Sequence, residues 1–176
     1  MTLSLREPRS LDELLNYRLL RLFSLSGAPV IRLLEGRYGI ARREWRLLAL
    51  LAVSGPLSPS ALAEQAQLDR PRTSRALGPL VAKGLVQRSP KPGDHRRAQV
   101  GLTPAGQALV DEVFPQVVAI NQRVVSALDD ATVAALDHAL ALLTAQARLV
   151  NAELVQDLHA DRRAGGSRRV RRPVAE

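Results

Sequence analysis

Two helix-start signals follow one another closely in the stretch LSPSALAEQAQLDRPRTSRALGPLVAKG. Ser58 is a good N-cap, and Pro59 suits the first helical position. Asp69 caps a second helix, and Gly84 sits where a C-terminal glycine belongs. The first helix ends near Gln67, and two short helices separated by about three residues form a helix-turn-helix. The next segment narrows the fold further. Residues 85–89 and 98–102 are short and partly alternating, as strands are. Between them, RSPKPGDHRRAQ carries two prolines, a glycine, Asp94 and the basic residues Arg88, Lys91, Arg96 and Arg97. A hairpin directly after a helix-turn-helix is a wing. Its basic tip is placed beside the second helix, where DNA backbone or the minor groove would run. The alternative is a solvated surface loop.

The rest of the chain reads as helix. Leu11, Leu14, Leu15, Leu19 and Leu22 recur at helical spacing after a cap at Ser10. Pro29 interrupts, and the pattern resumes to Gly36, giving one kinked helix or two. ARREWRLLALLAVSG gives a helix over about 41–53, closed by Gly55-Pro56. Thr103-Pro104 starts a long helix to about Leu128, bent at Pro115, and Asp129 or Asp130 caps the last. Val133, Leu136, Leu140, Leu143, Ala147 and Val150 form a near-heptad row there, as core or as an interface. The fold class is therefore mainly α with a small β-hairpin wing: a winged lobe over 41–103, flanked by helical regions at 10–36 and 104–160. Residues 161–176 lack apolar periodicity and are expected to be a basic, disordered tail.

Charge points to acidic partners. The formal net charge is +8 and the sequence pI is about 11.2, favouring nucleic acid first and an anionic membrane surface second. Six arginines give the tail +4 of that charge, suiting either a nonspecific DNA tether or an idle solvated end. Only Lys83 and Lys91 are lysines; the other basic residues are arginines, suited to planar contact with phosphate or guanine. There is no cysteine, which removes disulfides, thiolate metal sites and thiol redox sensing. The three histidines (His95, His138, His159) are scattered, so no metal site or other cofactor is expected. No continuous run of about 18 apolar residues and no secretory core occur, so a cytoplasmic protein without a membrane span is expected.

The N-terminal half of the second helix is the part that enters a major groove. Here it holds Arg70, Arg72, Thr73, Ser74 and Arg75. Arginine pairs with guanine, threonine meets a thymine methyl, and both hydroxyls suit phosphate. Leu77, Leu80 and Val81 belong to the inward side. Gly78-Pro79 lies inside the helix and should kink or interrupt it. No nucleophile-turn motif or Gly-rich phosphate loop supports an enzyme.

In order and spacing, these segments resemble the MarR family of winged-helix transcription regulators. The most specific part is GLVQRSPKPGDHRRAQVGLTPAGQAL, similar to the family's wing signature of a Gly-Leu-Val strand start, an Asp-x-Arg tip and Leu-Thr-x-x-Gly opening a helix. EWRLLALL and LAEQAQLDRPRTSRAL resemble its second helix and helix-turn-helix. The resemblance covers roughly residues 10–150 and implies one winged-helix domain over 1–160. It implies a homodimer interlocked through the terminal helices, a palindromic double-stranded operator, and repression relieved by a small anionic or aromatic effector. By position, Arg72 to Arg75 would read the groove and Arg96 or Arg97 would reach the minor groove. Asp94 would brace an arginine at the wing base, or simply serve the turn in PGD. Tyr17, Arg21, Tyr38, Arg42 and Trp45 are candidates for an effector pocket, with Trp45 fitting the core as well. A sequence-nonspecific architectural DNA binder is the competing function.

Overall fold

Four of the six α-helices among the described residues start at a side chain that accepts from a free amide. The computed structural model describes residues 5–91 and 94–157, without the side chains of 91, 94–97 and 155–157. The elements are α1 (Leu15–Tyr38), α2 (Arg42–Ser54), α3 (Pro59–Gln65), α4 (Arg70–Ala82), β1 (Val86–Lys91), β2 (Asp94–Leu102), α5 (Pro104–Val125) and α6 (Asp130–Asp157). The Ser58 hydroxyl accepts from Ala61 N at 3.2 Å, Asp69 Oδ1 from Arg72 N at 2.7 Å, and Thr103 Oγ1 from Gly106 N at 3.0 Å. All three are caps that the sequence announces.

The first helix departs from expectation at both ends. Ser10 makes no side-chain cap; a single 3-10 turn, Leu11–Glu13, comes first, then Leu14 is extended. Glu13 turns back to accept from Arg9 N at 2.6 Å, which closes this turn separately from α1. The far end is Gly39, not Gly36, because Gly39 takes the left-handed conformation (φ +60°) and Ile40 N donates to Leu34 O. Pro29, Pro79 and Pro115 all lie inside continuous helices, so none ends its helix. Asp129 settles the start of α6: its carboxylate accepts from Thr132 N at 2.7 Å. Hydrogen bonds from the Thr132 hydroxyl and amide hold Asp129 below the ordinary carboxylate range. This capping contribution is present above that range and is lost as pH falls through the lowered value.

β1 and β2 pair antiparallel with Val86 opposite Leu102 and Arg88 opposite Val100, and the register shifts at Pro90/Lys91. Leu57 adds a single bridge to Val100 on the other side of β2, through N–H to O distances of 2.9 and 2.8 Å. That third strand stub is one residue long, between Pro56 and Ser58, and leaves no alternation for sequence to show.

The core belongs to the lobe. Leu34 of α1 and Ile40 of the connection to α2 close it, Leu47, Leu48 and Leu51 come from α2, and Leu62, Leu77 and Leu80 come from the helix-turn-helix. Val86 and Val100 of the hairpin, with Val110 and Val113 of α5, complete it. By contrast, α6 has no buried residue from Asp130 to Leu154. By length and mean hydropathy (1.3) that segment is also apolar enough to cross a bilayer, although it contains no uninterrupted apolar run of about 18 residues. Asp137 and Arg148 within it argue against a lipid environment, where each would cost about 2.5–3.5 kcal/mol near mid-bilayer.

The wing is fixed to the helical region at one tight junction. Thr103 Oγ1 also donates to Gly84 O at 2.6 Å, and Thr103 N donates to Leu85 O. A Cβ on Gly106 would lie 2.0 Å from Leu85 O, so the first turn of α5 fits there only with glycine. Gly106→Ala is therefore expected to destabilise the protein by about 3 kcal/mol, through displacement of backbone rather than a flexible side chain. Urea unfolding of the two proteins measures it.

Candidate nucleic-acid interface

The turn between α3 and α4 sets the angle of the second helix. Gln67 takes a left-handed conformation (φ +54°), unusual for a residue with a side chain, and Leu68 N donates to Ala63 O. Arg46 of α2 donates to Ala66 O at 2.9 Å and pins this turn from below. Lys83 fixes the other end of α4: its ammonium donates to Gly39 O at 2.7 Å and meets Glu44 Oε2 at 3.2 Å. Neither Arg46 nor Lys83 stands out in the sequence as a positioning residue, because both partners are distant along the chain.

Thr73, Ala76, Leu77 and Leu80 form the buried face of α4. Arg70, Pro71, Ser74, Arg75, Gly78 and Pro79 lie on the exposed face. Val81, expected inward from sequence, is 40% exposed. Thr73 is the main correction to the expected reading surface. It is 1% exposed, and its hydroxyl donates to Asp69 O at 2.9 Å. That group is already committed within the first turn and is covered by the core. Arg72 is half-buried and lies 3.4 Å from Asp69 Oδ2, so the capping carboxylate also restrains this guanidinium. Arg75 lies flat on its own helix, with Nε donating to Pro71 O at 3.3 Å.

Arg88 joins this surface from the hairpin. Side chains alternate along a strand, so Arg88 shares the helix-facing side with Val86 and its partner Val100. A depression of about 210 Å³ results, lined by Pro59, Ser60, Arg70, Ser74, Leu77 and Arg88, with Thr73 at its floor. Two guanidinium groups and two hydroxyls thus meet over an apolar base. This is the donor set that phosphate and sugar contacts use. Ser60 was not legible as part of it, since it looks like an ordinary first-turn residue. The Lys91, Asp94, Arg96 and Arg97 side chains, and the tail 161–176, lie outside the described residues.

The candidate effector residues do not gather into one cavity among the described residues. Arg21 pairs with Asp12 at 3.8 Å, and Tyr17 is half-buried on α1. Arg42 stacks over the Phe23 ring, 3.7 Å from its centroid, in a notch left by Gly27. Tyr38 bridges to α5, donating to Glu112 at 2.8 Å and accepting from Gln116. Trp45 is 8% exposed and part of the core, so its ring is not available to line an open pocket. No group of three or more His, Cys, Asp or Glu side chains is placed to hold a metal among the described residues.

Comparison with known proteins agrees with this geometry. A model of the MarR family matches residues 38–97, spanning the end of α1, the helix-turn-helix and most of the hairpin. The HTH-type transcriptional repressor NicR of Pseudomonas putida is 38% identical over 68 residues, covering 39% of this chain and 43% of NicR. The chain spans about half the length of the curated relatives it matches. A MarR family transcriptional regulator from Silicibacter pomeroyi superposes with a TM-score of 0.67 at 28% identity, over 78% of this chain and 92% of that one. NadR in complex with 4-hydroxyphenylacetate superposes with a TM-score of 0.63 at 28% identity, over 74% of this chain and 92% of NadR.

The placement of Thr73 makes a direct claim about stability. Thr73→Val keeps the shape but removes a bond to Asp69 O, so thermal unfolding is expected to show a loss of about 1 kcal/mol.

Proposed function

We propose that this chain, which matches a MarR family model over residues 38–97 and shares its fold with MarR family regulators, is a sequence-specific DNA-binding repressor, acting in the cytoplasm as a homodimer on a palindromic operator. The observation that carries this reading is the shared exposed surface of Arg70, Ser74 and Arg75 on α4 with Arg88 on β1. α4 lies in the major groove, where Arg75 and Arg72 offer guanine a bidentate partner. Arg70, Arg88, Ser60 and Ser74 hold the adjacent backbone. Lys91, Arg96 and Arg97 extend the contact at the wing tip, and the tail adds sequence-independent attraction.

The dimer is supported by apolar surface that one copy leaves open. Leu19, Leu20, Leu22, Phe23 and Leu25 of α1 are exposed, as are Leu136, Leu140, Leu143 and Val150 of α6. Apolar area on this scale is what a monomer in water avoids. A second copy supplies matching surface, and it brings a second α4 into play on the same duplex. Release by an effector draws support from NadR, which is bound to an aromatic carboxylate. Arg42, Tyr38, Arg21 and Tyr17 remain the candidates for recognising such a compound here, at the seam between dimerisation helices and lobe.

Selection of bound sites from random DNA tests the reading, repeated with small aromatic carboxylates present. An enriched palindrome is expected; recovery without any sequence preference would replace the repressor with an architectural binder. Arg75→Ala is expected to lower affinity for the selected site by about 1–3 kcal/mol. Arg88→Ala should weaken binding to all sequences alike and reduce the salt slope by about one, as titrations at several salt concentrations will show. Replacing Leu140 and Leu143 together by Glu should yield a folded monomer with little operator affinity. Sedimentation and circular dichroism report the two halves of that outcome.

A further inference from the structure

Pro79 changes what α4 can offer to DNA. In a regular helix the carbonyl of Arg75 accepts from the amide four residues on. That residue is Pro79, which has no N–H, and its ring crowds the same carbonyl. α4 nevertheless continues to Ala82, and Lys83 N donates to Pro79 O at 2.9 Å, so the gap is local. The neighbouring position is Gly78, where a Cβ would find nothing within 4 Å. Arg75, Gly78 and Pro79 are all exposed, on the same side as Arg70, Pro71 and Ser74. The Arg75 carbonyl therefore lacks its helical donor on the exposed side of α4, with the Pro79 ring against it on one side and Gly78, which has no side chain, on the other.

We propose that the main-chain carbonyl of Arg75 reads a base, accepting a hydrogen bond from the exocyclic amino group of a cytosine or an adenine in the major groove. The inference rests on the placement of α4 in that groove. Five residues at about 1.5 Å each put this carbonyl roughly 8 Å along the axis from Arg70, within a groove about 12 Å wide. The amino groups of cytosine and adenine are the donors displayed there, whereas guanine O6 and thymine O4 are acceptors. An acceptor facing the carbonyl leaves it unsatisfied in a dehydrated contact, and that difference is the source of discrimination. Arg75 then presents two chemistries from one position: guanidinium donors from its side chain and an acceptor from its backbone. Gly78 keeps the approach open, and Pro79 prevents the helix from consuming the acceptor.

The experiment compares wild type with Pro79→Ala by site selection and by titration on single-base variants of the selected site. The alanine amide introduced at this position returns a donor to Arg75 O, so the variant should fold with a raised Tm. Preference for cytosine or adenine at one base pair of each half-site should fall about 3- to 10-fold, roughly the worth of a neutral hydrogen bond. Preferences elsewhere should hold. A second arm removes the amino group from the DNA instead, with purine in place of adenine or 2-pyrimidinone in place of cytosine at that position. Wild type should lose the same factor on the analogue, and Pro79→Ala should be indifferent to it. Identical base preferences in the two proteins, a uniform loss at every position, or wild-type binding insensitive to the analogue would each overturn the proposal while leaving the DNA-binding reading intact. Failure of the wild type to enrich any site would instead remove the reading on which the proposal rests.

Discussion

Four side chains of α4 face away from water: Thr73, Ala76, Leu77 and Leu80. Their burial against α2, α3 and the hairpin sets the rotational phase of the helix, and hence which residues are left outside. Helical geometry admits little adjustment, because a turn of about 100° per residue ties each exposed position to a buried one. Arg70, Ser74, Arg75 and Gly78 are outward because Thr73, Leu77 and Leu80 are inward. The same packing carries the hairpin, since Val86 and Val100 fill the far side of this core. Arg88 thus reaches the depression beside α4 through core packing rather than through contact with Arg70.

Tight connections hold this lobe to the helices around it. Lys83 joins the end of α4 to the α1–α2 loop through Gly39 O, and Glu44 stands beside it, nearly buried. Thr103 joins the start of α5 to the turn before β1. Tyr38 and Gln116 couple the end of α1 to the middle of α5. The lobe closes its own core, yet α1, α5 and α6 leave much of their apolar surface uncovered. The chain therefore divides its apolar residues between two tasks. Those from Leu34 to Val113 build the core, and many of those nearer the ends of the described chain are exposed. The polar connections between the two groups sit at the ends of α1 and α4 and along the first half of α5.

Local signals in the sequence were readable where local chemistry decides. Ser58, Asp69 and Thr103 cap helices because each hydroxyl or carboxylate has an amide three residues ahead. The hairpin after the helix-turn-helix and the inward leucines of α4 follow from pattern in the same way. Legibility failed where a distant partner decides. Thr73 has the composition of a reading residue, and only the core shows that it faces in. Trp45 suits either a pocket or a core until α2 is packed. Ser10 has the chemistry of a cap, but the carboxylate of Glu13 closes a separate turn there instead. The sequence pattern runs to Gly36 as the helix end, and Leu34 at the core boundary moves it to Gly39 by accepting from Ile40. The glycine of Leu-Thr-x-x-Gly was visible as a pattern, while its cause, the Leu85 carbonyl, was not.

The one local rule that α4 breaks is the exclusion of glycine and proline from helix interiors. A proline there costs about 3 kcal/mol and a glycine about 1 relative to alanine. Burying a leucine contributes about 1.5–3 kcal/mol, so Leu77 and Leu80 together offset a cost of that size at residues 78 and 79. The N-terminal cap at Asp69 and the anchor at Lys83 act on either side of the weak point. An unfavourable backbone sequence is thus maintained by packing on the opposite face. Nothing in the core requires it: Gly78 has open space around it, and Pro79 is exposed. With no demand from inside, what this pair changes lies on the exposed side of α4: Pro79 supplies no amide to the Arg75 carbonyl, and Gly78 places no side chain beside it.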